Sequence, residues 1–252
     1  MSATGAERDW DASTYERVAD AQVEWARAVL DRLPLDGDEA VLDAGCGGGR
    51  VTKLLLDRLP RGRVIAVDSA PSTVEAARTA LGDRATVIQS DLTELTLEGP
   101  VDATFSNAVF HWVSDHDRLF SALHGAMRPG ARLVAQCGGE GNVAHFLETV
   151  DEVAADSRFT NYFEGWRNPW NFADPDTTAE RLHRAGFDEV ETWLEPWPVR
   201  PSEPREFMRT VCLGDHLPRL PEDLRDAFTD VVAGRAGPEL DYVRLNINAR
   251  RG

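Results

Sequence analysis

From residue 40 to residue 154 short apolar runs alternate with stretches of helical period, and this alternation constrains the fold more than any other feature. The apolar runs are Ala40 to Ala44, Arg63 to Val67, Ala85 to Gln89, Val101 to Ser106 and Ala131 to Cys137. Helical spacing marks Val51 to Leu59, Ser72 to Leu81, Asp115 to Met127 and Val143 to Ala154. Strands joined through helices run parallel, and a parallel sheet is covered on both faces. Right-handed crossovers then bring the strand C-termini to one edge, where open α/β sheets bind ligands.

The flanks differ. Apolar residues at Tyr15, Val18, Val23, Ala26, Val29, Leu30 and Leu33 predict an amphipathic helix over Asp11 to Leu33, ahead of the first strand. After Ala155 the aromatic residues Phe159, Tyr162, Phe163, Trp166, Trp170 and Phe172 crowd together without a clean period, as in an insertion or lid. Asp176 to Ala185 reads as a helix closed by Gly186, Val190 to Leu194 as a strand, and Ser202 to Gly234 as a second helical insertion. Leu240, Tyr242, Leu245 and Ile247 outline a final strand.

Composition removes several classes of function. The 252 residues carry 27 basic against 43 acidic side chains, a net charge of -16 that would repel a nucleic-acid backbone. No apolar run approaches the roughly 18 residues of a membrane helix. The polar start with Glu7 and Asp9 is unlike a signal peptide, so a cytoplasmic location is expected. Cys46, Cys137 and Cys212 are odd in number and widely spaced, which predicts reduced core residues with neither a disulfide framework nor a metal site.

Chemistry concentrates at the strand ends. Val41-Leu42-Asp43-Ala44-Gly45-Cys46-Gly47-Gly48-Gly49 is a buried strand that ends in an acid and a glycine-rich turn opening a helix. Glycines let a ligand lie against bare backbone. A dinucleotide fingerprint needs glycine at its first, third and sixth positions; from Gly45 the sixth is Arg50, which argues against nicotinamide cofactors. Asp43 before the turn suits a ligand ammonium rather than a pyrophosphate, so a cationic ligand is indicated.

Residues 41 to 49 resemble the first motif of class I S-adenosylmethionine-dependent methyltransferases. That resemblance implies that Gly45, Cys46 and Gly47 lie along the methionyl part of S-adenosyl-L-methionine and that Asp43 helps to hold it. Asp68, followed by Ser69, matches the acid that accepts from both ribose hydroxyls. Ser90-Asp91-Leu92 matches the adenine site, with Asp91 accepting from the exocyclic amine and Leu92 stacking on the ring. Asn107, in Phe105-Ser106-Asn107-Ala108, matches the motif facing the reacting methyl. With His111-Trp112-Val113, Asp115-His116, Arg128-Pro129-Gly130, Gln136 to Asn142 and Tyr15, the pattern is most similar to the trans-aconitate methyltransferase group and its small-molecule relatives.

The fold implied is α/β: a Rossmann-like doubly wound, mostly parallel seven-stranded sheet with an antiparallel last strand and a small helical and aromatic cap. One methyltransferase domain would span 1–252, with a cofactor-binding core at 10–154, cap insertions at 155–174 and 200–236, and the last strands at 188–195 and 240–249. The expected activity is methyl transfer to a small molecule, with a carboxyl group of a small organic acid leading by family likeness. Alternatives are an NAD-dependent oxidoreductase and a catalytically silent relative that keeps the fold as a binding protein. His111 is the candidate base, should the acceptor need one; Trp112 would wall the acceptor site, and Arg167 and Arg209 are the candidate carboxylate anchors. The expected partner is a small-molecule substrate, with neither nucleic acid nor membrane, and a partner protein and the oligomeric state stay open.

Overall fold

The computed structural model describes the chain from Asp20 to Gly252, so Tyr15 and the start of the leading helix lie outside the described residues. The elements that position the site are α1 (Asp20–Asp31), β1 (Ala40–Ala44), α2 (Arg50–Asp57), β2 (Arg63–Asp68), α3 (Pro71–Leu81), β3 (Ala85–Gln89), β4 (Val101–Asn107) and α4 (His116–Ala126). They continue with β5 (Met127–Gly138), α5 (Ala144–Ala154), α6 (Pro175–Ala185), β6 (Phe187–Pro196), α7 (Glu222–Ala236) and β7 (Val243–Arg251). The seven strands form one sheet in the order β3-β2-β1-β4-β5-β7-β6. Neighbours from β3 through β5 run parallel, whereas β7 is antiparallel to both β5 and β6.

Burial on both faces follows from this layering. All five residues of β1 are buried. Val41 belongs to a core with Ala26, Val29 and Leu30 of α1 and Leu55 and Leu56 of α2. The next residue, Leu42, turns to the opposite face and a core with Leu119, Phe120 and Leu123 of α4. A third apolar cluster sits beyond the sheet, where Phe146 and Val150 of α5, Phe228 and Val232 of α7, and Phe159, Phe207 and Tyr242 form a cap core with Trp25 of α1. Strand order reverses between β1 and β4, so the crevice at their C-terminal ends is the place where such a sheet takes a ligand. No helix among the described residues is long and apolar enough to cross a membrane.

Three departures from the sequence expectation have physical causes. The insertion at 202–234 is helical as expected but not continuous: a short helix at Pro204–Phe207, a π-helical turn at Met208–Cys212, a 3-10 turn at Leu217–Arg219 and then α7. Pro218 and Pro221 lack the N–H that a continuous helix would use. The last strand starts at Val243 rather than 240, because Leu240 pairs only with Val199, in an isolated bridge. The strand expected at Val190 to Leu194 extends over Phe187–Pro196, with a register shift between Asp188 and Glu191 where Glu189 takes a φ of 47°.

Candidate active site

The glycine turn is built as its sequence demands. Gly45, Gly47 and Gly49 have φ of 88°, 53° and 84°, all left-handed. The N–H groups of Gly45 and Cys46 both donate to Val67 O of β2, at 2.8 and 2.9 Å, which ties the turn to the neighbouring strand. The glycines serve different ends. A Cβ on Gly45 would lie 2.2 Å from Val109 Cγ2, whereas one on Gly47 would meet nothing within 4 Å. Gly47 therefore presents bare backbone to open space at the ligand edge, as a cofactor cradle requires.

Asp68 closes that edge from β2. Its Oδ2 accepts from Gly47 N–H at 2.9 Å, and its Oδ1 accepts from Ala70 N–H at 3.1 Å and Thr73 Oγ1 at 2.9 Å. A carboxylate offers about four acceptor sites, so three are engaged within the protein. Gripping both ribose hydroxyls would thus release one internal donor. Ser69, which follows Asp68, is exposed, and the N-cap of α3 is Ala70 with no side-chain cap.

On the far side, exposed Asp91 accepts from Thr93 N–H and Thr93 Oγ1 through Oδ1, at 2.8 and 2.9 Å, and Ser90 Oγ donates to Asp91 O at 3.1 Å. Leu92 is buried in the core shared with α4 instead of lying open for stacking.

Asp43 lies deeper than its motif suggested. It is 1% exposed and accepts a 2.7 Å bond from Thr52 Oγ1 of α2. Burial pushes its pKa up to about 7 against the Thr52 bond, with the Asp68 charge adding to the rise. Cys46, 7% exposed, donates weakly to Gly47 O, and burial plus the Asp43 and Asp68 charges drives its thiol pKa far above the ordinary value. It is no nucleophile.

Beyond the half-buried Asn107, the last residue of β4, the chain turns through Ala108 at φ 61°. Ala108 borders a cavity of about 70 Å³ walled by Trp25, His111, Trp112, Trp170, Phe172 and Tyr242. One water needs roughly 10–15 Å³ by a like measure, so the space fits a small molecule. Asn142, Val143, Val211, Cys212 and Arg244 complete the lining. Val143 is at φ 48°, so two of the three left-handed non-glycine residues among the described residues border this cavity; such strain clusters at functional sites.

The aromatic insertion divides. Phe159 and Phe163 pack on Phe228 at 5.1 and 5.4 Å in the cap core, and Trp166 packs on His216 at 4.6 Å. Trp170 and Phe172 instead stack on Trp112 and His111 at 5.5 and 5.9 Å. The indole N–H groups of Trp25 and Trp170 are buried with no acceptor among the described residues.

His111 does not suit the role of base. Gly138 N–H donates to His111 Nδ1 at 3.2 Å, which uses that lone pair and leaves the ring proton on Nε2. The ring thus offers a donor. The expected anchors also fail: Arg167 is exposed and outside the cavity lining, and Arg209 is tied to Asp226 at 2.8 Å on the cap.

Sequence reasoning passed over Arg244. It is 2% exposed, lies in the cavity wall, and sets its guanidinium 4.4 Å over the Trp25 ring. Its Nε donates to Gln136 Oε1 at 3.4 Å, Gln136 Nε2 donates to Asn246 Oδ1 at 2.9 Å, and Asn246 Nδ2 donates to Glu195 Oε2 at 3.1 Å. A charged residue alternating with Leu245 and Ile247 in a buried strand was the available signal.

A strand-end acid beside an open glycine turn, on a sheet of this order, defines a nucleoside-binding α/β enzyme. A family model described as a methyltransferase domain matches residues 42–135. The chain is 30% identical over 258 aligned positions to trans-aconitate 2-methyltransferase of Methylobacterium radiotolerans, with 94% of each covered. It is 41% identical over 127 residues to that of Azoarcus sp., where it spans half the length of the relative. Among solved structures, phosphoethanolamine N-methyltransferase 2 of Haemonchus contortus with S-adenosylhomocysteine aligns at TM-score 0.62 and 18% identity, over 95% of this chain and 56% of that one. The chain belongs to the class I S-adenosylmethionine-dependent methyltransferases, in the trans-aconitate methyltransferase group.

Proposed function

We propose that this enzyme transfers a methyl group from S-adenosylmethionine to a carboxylate of a small organic acid. The observation that carries the acceptor class is Arg244, a buried cation in the wall of an aromatic chamber that borders Ala108. A guanidinium matches a carboxylate through parallel bonds. The names of the relatives agree with an acidic acceptor.

When bound, S-adenosylmethionine supplies an electrophilic methyl on a sulfonium. The open face of Gly47 fits its methionyl part and the acceptor capacity of Asp68 its ribose, and Asp91 would take the adenine. Residues of the chain contribute alignment and dryness: holding two reactants in near-attack geometry accounts for roughly 7–11 kcal/mol of barrier. Trp112, Trp170 and Phe172 exclude water from the chamber, and His111 donates from Nε2. A carboxylate, whose ordinary pKa is about 4, is ionised at neutral pH, so no base is needed, in keeping with a histidine whose Nδ1 is engaged.

Arg50 occupies the position where a dinucleotide fingerprint needs its third glycine, and the relatives are methyltransferases, so neither the oxidoreductase nor the silent-relative reading is retained. The acidic net charge favours work away from nucleic acid. The test is transfer from methyl-labelled cofactor to pooled small acids, amines and phenols. Base-labile methyl esters are expected; label confined to amines or phenols refutes the acid.

A further inference from the structure

We propose that the indole N–H groups of Trp25 and Trp170 and the amide nitrogen of Asn142 are the donors that recognise the carboxylate oxygens of the acceptor, an inference resting on the acid-methylating reading above. All three side chains line the cavity that Ala108 borders. Both indole N–H groups are buried and meet no acceptor among the described residues. A buried indole N–H usually finds a partner, and a donor left without one costs the full penalty of its desolvation. A guest that brings the acceptor removes that cost. The rings themselves are held firmly. Trp25 carries the Arg244 guanidinium over its face at 4.4 Å and packs on Tyr242 at 5.1 Å, while Trp170 packs on Trp112 and Phe172 at 5.5 and 5.4 Å. An indole donates in its ring plane, so fixing the ring also fixes the direction of the donor.

Asn142 adds a donor whose identity the backbone settles. It is 5% exposed, in the turn between β5 and α5, and its Oδ1 accepts from Val243 N–H of β7 at 3.0 Å. A backbone N–H can only donate, so the amide cannot flip and its other end is the nitrogen. No hydrogen bond of Nδ2 is made among the described residues. That nitrogen stands against Gly138, where a Cβ would come within 2.9 Å of it and within 2.6 Å of the Phe172 ring. The bare Gly138 thus lets the amide and a chamber ring close together over the end of β5. An indole has no acceptor to give, and the Asn142 oxygen is already engaged by Val243. A guest meeting these three groups must therefore present acceptors. A carboxylate offers about four acceptor sites and no donor, whereas an ammonium offers three donors and no acceptor. The wall selects an ionised acid and rejects an amine, whose donors would face donors.

The experiment follows trans-aconitate binding in the presence of S-adenosylhomocysteine, by calorimetry and through the indole N–H proton resonances of the wild-type chain. On saturation the Trp25 and Trp170 resonances are expected to move downfield, while those of Trp166 and Trp193, outside the cavity lining, stay in place. Asn142→Asp keeps the acceptor for Val243 N–H and replaces the donor by a charged oxygen. Trp170→Phe keeps an aromatic wall without the N–H. Each is expected to weaken acid binding about tenfold or more, as befits a lost hydrogen bond to a charged group. Affinity for S-adenosylhomocysteine should stay within about twofold in both, which also certifies folding; in turnover KM rises more than kcat falls. Should neither variant fold, the wild-type resonances decide alone. Resonances that do not move on saturation, or unchanged acid affinity in the folded variants, overturn the inference while leaving methylation of acids intact. A wild-type protein that neither binds nor methylates small acids overturns the function beneath it, and the inference with it.

Discussion

Asp43 shows how a single buried carboxylate ties the site to stability. Desolvation pushes it up to about 7 from the ordinary 3.8. Between pH ~4 and ~7 the folded chain keeps a proton on Asp43 that the unfolded chain has released, so this group's contribution to stability falls as pH rises through that window and levels off above it. Three pKa units correspond to about 4 kcal/mol as an upper bound. Asp43→Asn keeps the acceptor for Thr52 and removes the titration. Its melting temperature should gain on wild type steadily from pH 4 to pH 7 and hold that gain at pH 8; parallel curves would contradict the buried ionisation. Asp68→Ala, by contrast, should abolish saturable binding of S-adenosylhomocysteine by calorimetry, and retained affinity would remove the ribose role. For His111, a donor rather than a base, the prediction is a kcat that stays flat between pH about 6 and 8 with an acidic acceptor and substantial activity in His111→Gln. A unit-slope acidic limb that vanishes in the variant would restore the base. The acids at strand ends were legible because motif spacing carries them. Arg244 was not: its place in the cavity wall comes from burial and from partners on β5 and α1 that are remote in sequence.

Elements translate those residues into a site through close approach, and the glycine turn gives the clearest test. Gly45 and Gly47 look alike in sequence, yet one is closed by Val109 and the other opens to the crevice. Gly45→Ala combines a left-handed φ with a collision in a packed core, so a loss of about 2–4 kcal/mol is expected from denaturant unfolding. Gly47→Ala meets no atom, so only the left-handed penalty of roughly 1–2 kcal/mol applies, while the methyl intrudes on the cofactor's side. Cofactor affinity should fall more in Gly47→Ala than its stability loss would suggest, and the reverse order of effects would contradict this assignment. The sequence marked where such a turn must sit, from an apolar strand, an acid and four glycines. It did not separate the glycines, because the wall that distinguishes them, Val109, follows a different strand. The second insertion was legible as helical but not as several pieces, into which Pro218, Pro221 and the π-helical turn that delivers Val211 and Cys212 to the cavity divide it.

At the scale of the molecule, the proposed cofactor and acceptor regions rest on separate cores. The glycine turn and Asp68 stand on β1 and β2, backed by the two clusters that sandwich the sheet. The acceptor chamber borrows Trp25, Val143, Cys212 and Tyr242 from the third cluster, whose centre includes Phe228 against Phe159 and Phe163. Alternating strands and helices made the sheet readable from residue 40 onward, since period and burial agree there. The cap was readable only as an aromatic excess, because which rings face the chamber and which face α7 depends on packing between distant segments. This division yields a prediction in which damage stays local. Phe228→Ala removes a fully buried ring, at a typical cost of about 3–5 kcal/mol where surroundings cannot collapse. The loss falls on the cap, so KM for the acid should rise severalfold at a temperature where the variant is folded, while affinity for S-adenosylhomocysteine stays near wild type. The complementary change, Leu55→Ala in α2, undermines the core behind the glycine turn and should weaken cofactor binding with little effect on KM for the acid. Measuring both ligands in both variants decides it: a cap variant that loses cofactor affinity as strongly as acid affinity would mean that the cores act as one unit and the two sites are not independently supported.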